Sequence, residues 1–253
     1  MLVSRQYRLN RLKTLDLLNG LEATGGQAVS IYLPPGLAES DNRELLNNAL
    51  PAQDIPAEIA ELVAASQTGA AVFRGAARNL LVRPPFPLTG HFISPKIDIE
   101  PLRSMLESTC TVALVLVRLG AFAIGVCRGE QLVTSKTGTG LVHGRHRKGG
   151  SSQRRFERRR ENQAREFLER VCGHAKQQLE PYAKDLDYLV YGGARTTIQS
   201  LKKQCPFLNQ FEDCTLPPLL SIPQPRRAVL EEAITDVWSS TIIEWHDKEV
   251  LEI

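Results

Sequence analysis

The 253-residue sequence lacks the features that mark a membrane protein, a secreted disulfide scaffold or a zinc protein. No run approaches the roughly 18 apolar residues of a membrane-spanning helix, and the first residues carry no apolar block typical of a signal peptide. The five cysteines are an odd number with no Cys-x-x-Cys pair, which argues against a disulfide framework and a structural zinc. We therefore expect a cytoplasmic protein, not bound to a membrane, whose cysteines are reduced and mostly buried.

Several hydrolytic chemistries lack the residues that they need. Two-metal cleavage of nucleic acid requires carboxylates on central strands, and there is no Asp or Glu between Thr111 and Gly129. Asp185 and Asp187 stand at the start of a strand, where solvation or a turn accounts for them. The sequence has no Gly-x-Ser-x-Gly elbow and no Gly-x-x-x-x-Gly-Lys phosphate loop. We expect no metal site and no cofactor.

The positive charge of this chain is concentrated in one segment. Residues 143–165 hold nine Lys or Arg against two Glu, a net of +7, whereas the rest of the chain sums to −4. A solvated helix face usually interleaves acids with bases. One basic segment on a slightly acidic body instead indicates a protein that contacts nucleic acid at one place.

The apolar pattern predicts a mixed α/β (α+β) protein of two domains, residues 1–108 and 109–253. The first is a small mixed domain, with a hairpin made by 70–73 and 80–82 and a short helix over 99–106. The second begins with three antiparallel strands within 112–136, followed by a basic loop, 137–153, and a long helix, 153–180. Further strands and helices then alternate, which describes a ribonuclease-H-like layer.

The basic segment carries the most specific motif. It reads Gly149, Gly150, Ser151, Ser152, Gln153 and continues into an arginine-rich helix. It resembles the catalytic loop of the Vms-like release factors, in which Gly-Gly-x-Ser-Gln precedes such a helix. These are themselves similar to the eukaryotic and archaeal class-one peptide-chain release factors with their Gly-Gly-Gln loop. The stretches 29–35 and 225–233 also resemble this family, so the resemblance covers most of the chain.

The resemblance implies a release-factor-like N-terminal domain, a release-factor catalytic domain and a set of site residues. The implied catalytic residues are Gln153, Gly149, Gly150 and Ser152. The implied RNA-binding residues are Arg145, Arg147, Lys148, Arg154, Arg155, Arg158 and Arg159. The implied partners are the ribosome at the peptidyl transferase centre of its large subunit, ribosomal RNA and peptidyl-tRNA.

The chemistry of these residue types agrees with that implication. Glycines let the backbone approach a crowded reaction centre, and the bases neutralise phosphates around it. A neutral Gln orients water and offers amide donors to a developing oxyanion. The alternative is that Gln153 merely starts the helix, although helix starts favour acids over such a cluster of bases.

A literal Gly-Gly-Gln occurs elsewhere, at Gly25, Gly26 and Gln27. Residues 14–42 contain no Lys or Arg and four acids, so this loop is expected to be repelled by ribosomal RNA. We interpret it as a turn that leads into the strand at Ala28.

The sequence also departs from the class-one pattern. No Asn-Ile-Lys-Ser codon-reading loop occurs in the first hundred residues, and we expect the GTPase-recruiting third domain to be absent. By analogy, the function is codon-independent hydrolysis of the peptidyl-tRNA ester on stalled ribosomes or large subunits, in ribosome rescue or quality control. The alternative is a non-catalytic ribosome- or RNA-binding factor of the Pelota type, which has no need of Gln153.

Overall fold

The computed structural model describes residues 5–22, 28–49, 57–75, 78–141 and 153–246. The strands are β1 (Arg5–Leu9), β2 (Ala28–Leu33), β3 (Ala70–Gly75), β4 (Asn79–Arg83), β5 (Phe92–Ser94), β6 (Thr111–Arg118), β7 (Ala121–Arg128), β8 (Gln131–Thr139), β9 (Tyr188–Gly193), β10 (Thr215–Leu220) and β11 (Ser240–Trp245). The α-helices are α1 (Arg11–Glu22), α2 (Glu39–Ala49), α3 (Ala57–Ala64), α4 (Glu100–Glu107), α5 (Gln153–Leu179), α6 (Arg195–Gln204) and α7 (Arg227–Val237). Short 3-10 helices occur at Glu180–Tyr182 and Pro206–Phe211.

The chain divides into two compact units. Unit 1 comprises Met1–Ser108 and Asp236–Ile253, and unit 2 comprises Thr109–Thr235. The mixed α/β class predicted from the sequence is confirmed, and each unit is built around one sheet.

Unit 1 has a six-stranded antiparallel sheet in the order β1-β11-β4-β3-β2-β5. Successive residues of its strands point to opposite faces, so Leu80 and Leu81 enter different cores. Leu80 packs in a cluster with residues of α1 and α4, whereas Leu81 packs in a cluster with residues of α2 and α3. The sheet is therefore covered by helices on both faces, and the predicted hairpin is the β3–β4 pair.

The last strand corrects the predicted second domain, 109–253. β11 lies between β1 and β4 and pairs antiparallel with both, so the described end of the chain belongs to unit 1. Ile242 and Ile243 are buried on opposite faces of that sheet, and Trp245 is buried as well. Burial of these large side chains is the physical reason that the strand joins the first sheet.

Unit 2 has a five-stranded sheet in the order β10-β9-β6-β7-β8. β6, β7 and β8 form an antiparallel meander, while β9 runs parallel to β6 and β10 runs parallel to β9. This order with these directions is that of a ribonuclease-H-like layer, as predicted. β6 and β7 are buried along almost their whole length because they lie inside the sheet, whereas β8 forms an edge and alternates in exposure.

The long helix α5 and the shorter α6 cover one face of this second sheet. Phe167, Val171 and Leu179 of α5 and Ile198 and Leu201 of α6 belong to a single core cluster with β6 and β7. α7 lies near the sheet as well, since Leu230 approaches Gly125 of β7. An apolar stripe along the C-terminal half of α5 thus anchors this helix to the core of unit 2.

The cysteines differ from the expectation of fully reduced thiols. Cys172 of α5 and Cys205, the residue after α6, form a disulfide with their Cα atoms 5.5 Å apart. Their pairing follows from the packing of α5 beside α6, a spatial relation that the spacing of cysteines along the sequence does not reveal. Of the other three cysteines, Cys127 is buried, whereas Cys110 and Cys214 are partly exposed.

No helix in the described ranges is long and apolar enough to cross a membrane.

Candidate functional site

The predicted basic loop, 137–153, lies between β8 and α5 in the sequence, and β8 continues to Thr139, two residues further than the start predicted for the loop. Gly140, just after β8, donates its backbone N–H to the carbonyl of Gly120 at 2.9 Å. Leu141 is the last described residue before Gln153, which begins α5. The position of the loop's two ends is therefore set by how β8 and α5 pack together.

Two glycines allow the end of β8 to lie directly on aromatic rings. A Cβ added to Gly138 would lie 2.5 Å from Cε1 of Phe122, and one added to Gly140 would lie 2.6 Å from Cδ2 of Phe167. Phe122 and Phe167 contact each other with ring centroids 6.3 Å apart, and both are buried. Any larger residue at either position would have to displace a ring that the core holds.

α5 runs beside β8 in the opposite direction. The Thr134 hydroxyl donates a hydrogen bond to Oε1 of Gln178 at 2.7 Å, near the start of the strand and the end of the helix. The imidazole of His174 stacks on the Phe122 ring at 5.2 Å, and Phe167 then lies beside Gly140 at the strand's far end. These contacts fix the rotation of the helix about its axis as well as its position.

Beyond Phe167, the N-terminal part of α5 continues past the end of the strand. Among the described side chains of α5, which start at Arg155, Phe167 is the first that is buried. From Phe167 back to Gln153 the helix has fourteen steps of 1.5 Å, so it extends about 21 Å beyond its last core anchor. Gln153 is thus the first residue of a long helical arm whose described side chains before Phe167 are exposed or partly exposed.

This arm, defined as residues 153–166, carries the positive charge of the site. Arg155, Arg158 and Arg159 are exposed, as the RNA-binding prediction requires of them. The first turn of α5 contains no acid, contrary to the usual preference for negative charge at a helix N-terminus. An anion outside the protein would therefore meet both the guanidinium groups and the positive end of the helix dipole.

Most of the predicted loop residues lie outside the described residues. This holds for Gly149, Gly150, Ser152, Arg145, Arg147 and Lys148, and also for the rival Gly25, Gly26 and Gln27. Gln153 and Arg154 are placed only as the first two residues of α5. The assignment of catalytic and RNA-binding roles to these residues stays a prediction.

An open groove lies at the base of the arm. It is lined by Leu141 and by four residues of α5: Gln163, Glu166, Glu169 and Arg170. With two glutamates and one arginine, the lining has a net charge of −1, which is opposite in sign to the charge of the arginine-rich tip. We therefore do not assign this groove to a polyanion.

A metal-dependent chemistry finds no support in the residues that the structure describes. Asp187 accepts the Thr111 backbone N–H on its carboxylate at 2.7 Å, and its own N–H donates to the Thr111 carbonyl at 3.0 Å. This carboxylate therefore aligns β6 with β9 instead of facing a ligand. Within the described ranges no three His, Cys, Asp or Glu side chains form a group that could hold a metal.

The residues that support the arm could not be predicted from the sequence pattern. Gly138, Gly140 and Phe122 were not predicted to contribute, although the Thr-Gly-Thr-Gly run at 137–140 is an available signal. Glycine inside a strand often marks a close approach of another group to the backbone. The aromatic partners of these glycines come from β7 and α5, which no local pattern reveals.

Known proteins resemble this chain over most of its length. It is 26% identical over 220 residues to a peptide chain release factor subunit 1 of Methanopyrus kandleri, a match that covers 76% of this chain and 53% of that protein. It is 32% identical over 113 residues to the corresponding protein of Archaeoglobus fulgidus, covering 45% of this chain and 28% of the relative. The chain thus spans about half, or less, of these curated relatives.

Two solved archaeal structures also align with the chain. The crystal structure of the archaeal translation termination factor aRF1 covers 90% of this chain and 70% of its own, with a TM-score of 0.41 and 19% identity. The Pelota protein of Archaeoglobus fulgidus covers 92% of this chain and 64% of its own, with a TM-score of 0.31 and 12% identity.

A family model settles the relationship. The model that describes the VLRF1 release factor of Actinobacteria and Chloroflexi matches residues 110–243, which is more than half of the chain and includes the whole of α5. The resemblance to Vms-like release factors that the Gly-Gly-x-Ser-Gln run indicated is thereby confirmed. The chain belongs to the actinobacterial and chloroflexal VLRF1 family of release factors.

Proposed function

We propose that this protein hydrolyses the ester between peptide and tRNA on stalled ribosomes or large subunits, without reading a codon. The observation that supports the proposal is the arm, in which Gln153 is about 21 Å along the helix from Phe167, the first fully buried side chain of α5. A catalytic group that acts inside a ribosomal cavity has to project beyond the domain that carries it. A basic arm with a glutamine at its tip has the shape and charge for that task.

The proposed reaction is attack by water on the ester carbonyl carbon of peptidyl-tRNA. The bond to the ribose oxygen breaks, the ribose oxygen takes up a proton, and the peptide leaves with a free carboxyl group. Gln153 would hold the water by its side-chain oxygen or donate its amide hydrogens to the developing oxyanion. Gly149 and Gly150 would let the backbone approach the ester, and Ser152 would adjoin the reacting groups.

The arginines of the arm and loop would supply affinity for ribosomal RNA. Arg155, Arg158 and Arg159 are exposed on the arm, and Arg154 belongs to the same helix. Arg145, Arg147 and Lys148 of the loop would add further positive charge for binding RNA. Because a neutral glutamine lacks a general base, the peptidyl transferase centre would provide the remaining alignment, and hydrolysis of free peptidyl-tRNA would be slow.

The test is release of labelled peptide from large subunits that carry peptidyl-tRNA. Wild-type protein should release the peptide, and Gln153→Ala should lower the rate by about 10²-fold or more, the effect of losing one oxyanion donor. Gln27→Ala is the matched control, since it changes the glutamine of the rival Gly-Gly-Gln, and it should release at the wild-type rate. Normal release by Gln153→Ala would refute the site assignment.

The same assay separates hydrolysis from the Pelota-type alternative. A non-catalytic factor would co-sediment with the subunits while the peptide stayed attached to the tRNA in wild type and variant alike. That result would leave a ribosome-binding role in place of hydrolysis. Fast hydrolysis of free peptidyl-tRNA would instead show a complete active site within the protein.

A further inference from the structure

Phe156 is an aromatic residue exposed on the arginine-rich arm. Its exposed fraction is 64%, whereas Phe167 on the same helix is only 1% exposed. The two are eleven residues apart, about three turns, so they lie on the same side of α5. Phe156 therefore continues the apolar stripe of the helix beyond the point where the strand beneath it has ended.

The residues around Phe156 are strongly polar. Among positions 155–166, Ala164 is the only other apolar residue, and it is small. Arg159 and Arg160 follow Phe156 by three and four positions, which makes them its neighbours on the helix surface. The phenyl ring thus has guanidinium groups as neighbours, which does not suit an apolar core. One large apolar side chain also offers little apolar area to a lipid surface, because membrane binding scales with that area.

The sequence of the adjoining segment, residues 142–152, is poorly suited to packing against this ring. Residues 142–152 contain a single aliphatic side chain, Val142, and otherwise consist of glycine, serine, histidine and basic residues. The like charge of Arg145, Arg147 and Lys148 also opposes their approach to the arginines of the arm. A polyanion with flat apolar faces matches both the charge and the ring.

Unpaired RNA has this combination of properties. Its phosphates neutralise arginines, and its bases stack on aromatic side chains without regard to sequence. We propose that Phe156 stacks on an unpaired base of ribosomal RNA and so fixes how far the arm enters its site. The inference rests on the proposed function, because Phe156 stands only three residues, about 4.5 Å along the helix, from Gln153.

The first experiment measures affinity for large ribosomal subunits at several salt concentrations. Phe156→Ala should weaken binding by roughly tenfold at every salt concentration, within the range measured for loss of one stacked base. The slope against salt should not change, because no charge is lost. Arg159→Ala should instead reduce the slope. Phe92→Ala is the matched control, since Phe92 is also exposed but lies on β5 of unit 1, and it should bind as wild type.

Conservative variants separate stacking from simple apolar contact. Phe156→Tyr should keep most of the affinity, while Phe156→Leu, which is apolar but lacks a π face, should lose nearly as much as Phe156→Ala. Wild-type affinity in Phe156→Leu would overturn the proposal in favour of a protein pocket, and wild-type affinity in Phe156→Ala would overturn it altogether. Because Phe156 is exposed, these variants should melt at the wild-type temperature.

A direct signal comes from Phe156→Trp. The chain has two tryptophans, Trp238 and Trp245, and both are fully buried, so a third at position 156 would dominate the response to added RNA. Single-stranded RNA should quench this fluorescence and double-stranded RNA of equal charge should quench it much less. Equal quenching by both would refute stacking. Since these readouts measure binding alone, a failure of peptide release with intact stacking would refute the proposed hydrolysis and leave the role of Phe156 standing.

Discussion

Gly140 and Phe167 lie in direct contact, so close that a Cβ on the glycine would come within 2.6 Å of Cδ2 of the ring. Gly140 is the residue that leads from β8 towards the basic loop, and Phe167 is the first buried residue of α5 after the arm. The contact therefore packs the end of β8 against the first fully buried residue of α5 after the arm. It makes the position of the arm depend on the absence of a side chain at residue 140.

Gly140→Ala should disturb the arm. The methyl group would meet Phe167, which is held in the core, and overpacking of this kind costs about 1–3 kcal/mol. We expect a lower denaturation midpoint by far-UV circular dichroism and a slower release of peptide.

Gly173→Ala is the control for this substitution. Gly173 lies within α5, and a Cβ there would have no other atom within 4 Å. Replacing a mid-helix glycine by alanine should stabilise the protein by about 1 kcal/mol, with release unchanged. If Gly140→Ala matched Gly173→Ala in both measurements, the contact with Phe167 would not control the arm.

The arginines of the arm should act through affinity. Replacing Arg154, Arg155, Arg158 and Arg159 together by alanine should weaken binding to the large subunit and flatten its dependence on salt. Each lost phosphate contact to a single strand should reduce the slope by up to about 0.7 log units of affinity per log unit of salt. Sedimentation at several salt concentrations measures this slope, and an unchanged slope would mean that these side chains contact no phosphate.

Much of unit 2 could be predicted from its sequence because its elements have strong local patterns. The strands over 112–117 and 121–127 are apolar runs with Gly120 in the turn between them, and Phe167, Val171 and Ala175 recur at helical spacing. The basic segment could also be predicted, because the net charge of a segment follows from counting its residues and does not depend on packing. The way in which the segment is anchored to unit 2 could not be predicted, because the contact between Gly140 and Phe167 depends on how β8 and α5 pack together.

The elements that the sequence did not reveal depend on distant partners. β11 was missed because six residues with no turn signal become a strand only between β1 and β4, which come from the other end of the chain. The same reason explains the Cys172–Cys205 pair, whose members are 33 residues apart in sequence. Local pattern reports local structure, and these features arise from tertiary packing.

The assignment of β11 to unit 1 predicts the effect of Ile243→Ala. Ile243 is 1% exposed and packs in the cluster that contains Val72 and Leu81. Removing its side chain should destabilise unit 1 by about 2–5 kcal/mol. The fluorescence of Trp238 and Trp245 reports on this unit, since both tryptophans belong to it, and its urea midpoint should fall. Val133→Ala, at an exposed position of β8, should leave that midpoint unchanged.

The contact between β1 and β11 should also make unit 1 sensitive to alkaline pH. Tyr7 donates its phenolic O–H to the carboxylate of Glu244. Burial, and then the hydrogen bond and negative charge of Glu244, raise the pKa of Tyr7 from 10.0 to about 12. The folded state therefore holds this proton more tightly than the unfolded chain does. The resulting stabilisation is fully present below pH 10 and is lost as the pH rises to about 12.

Tyr7→Phe removes the titrating group and should make the loss of stability between pH 10 and 12 shallower than in wild type. Urea denaturation followed by tryptophan fluorescence at pH 8, 10 and 11.5 measures the difference. Glu244→Gln keeps the partly buried phenol and removes the negative charge, so its pH dependence should fall between those of wild type and Tyr7→Phe. Other buried tyrosines, such as Tyr32 with its raised pKa, titrate in all three proteins and cancel in the comparison. An identical pH dependence in wild type and Tyr7→Phe would show that folding does not raise the pKa of Tyr7.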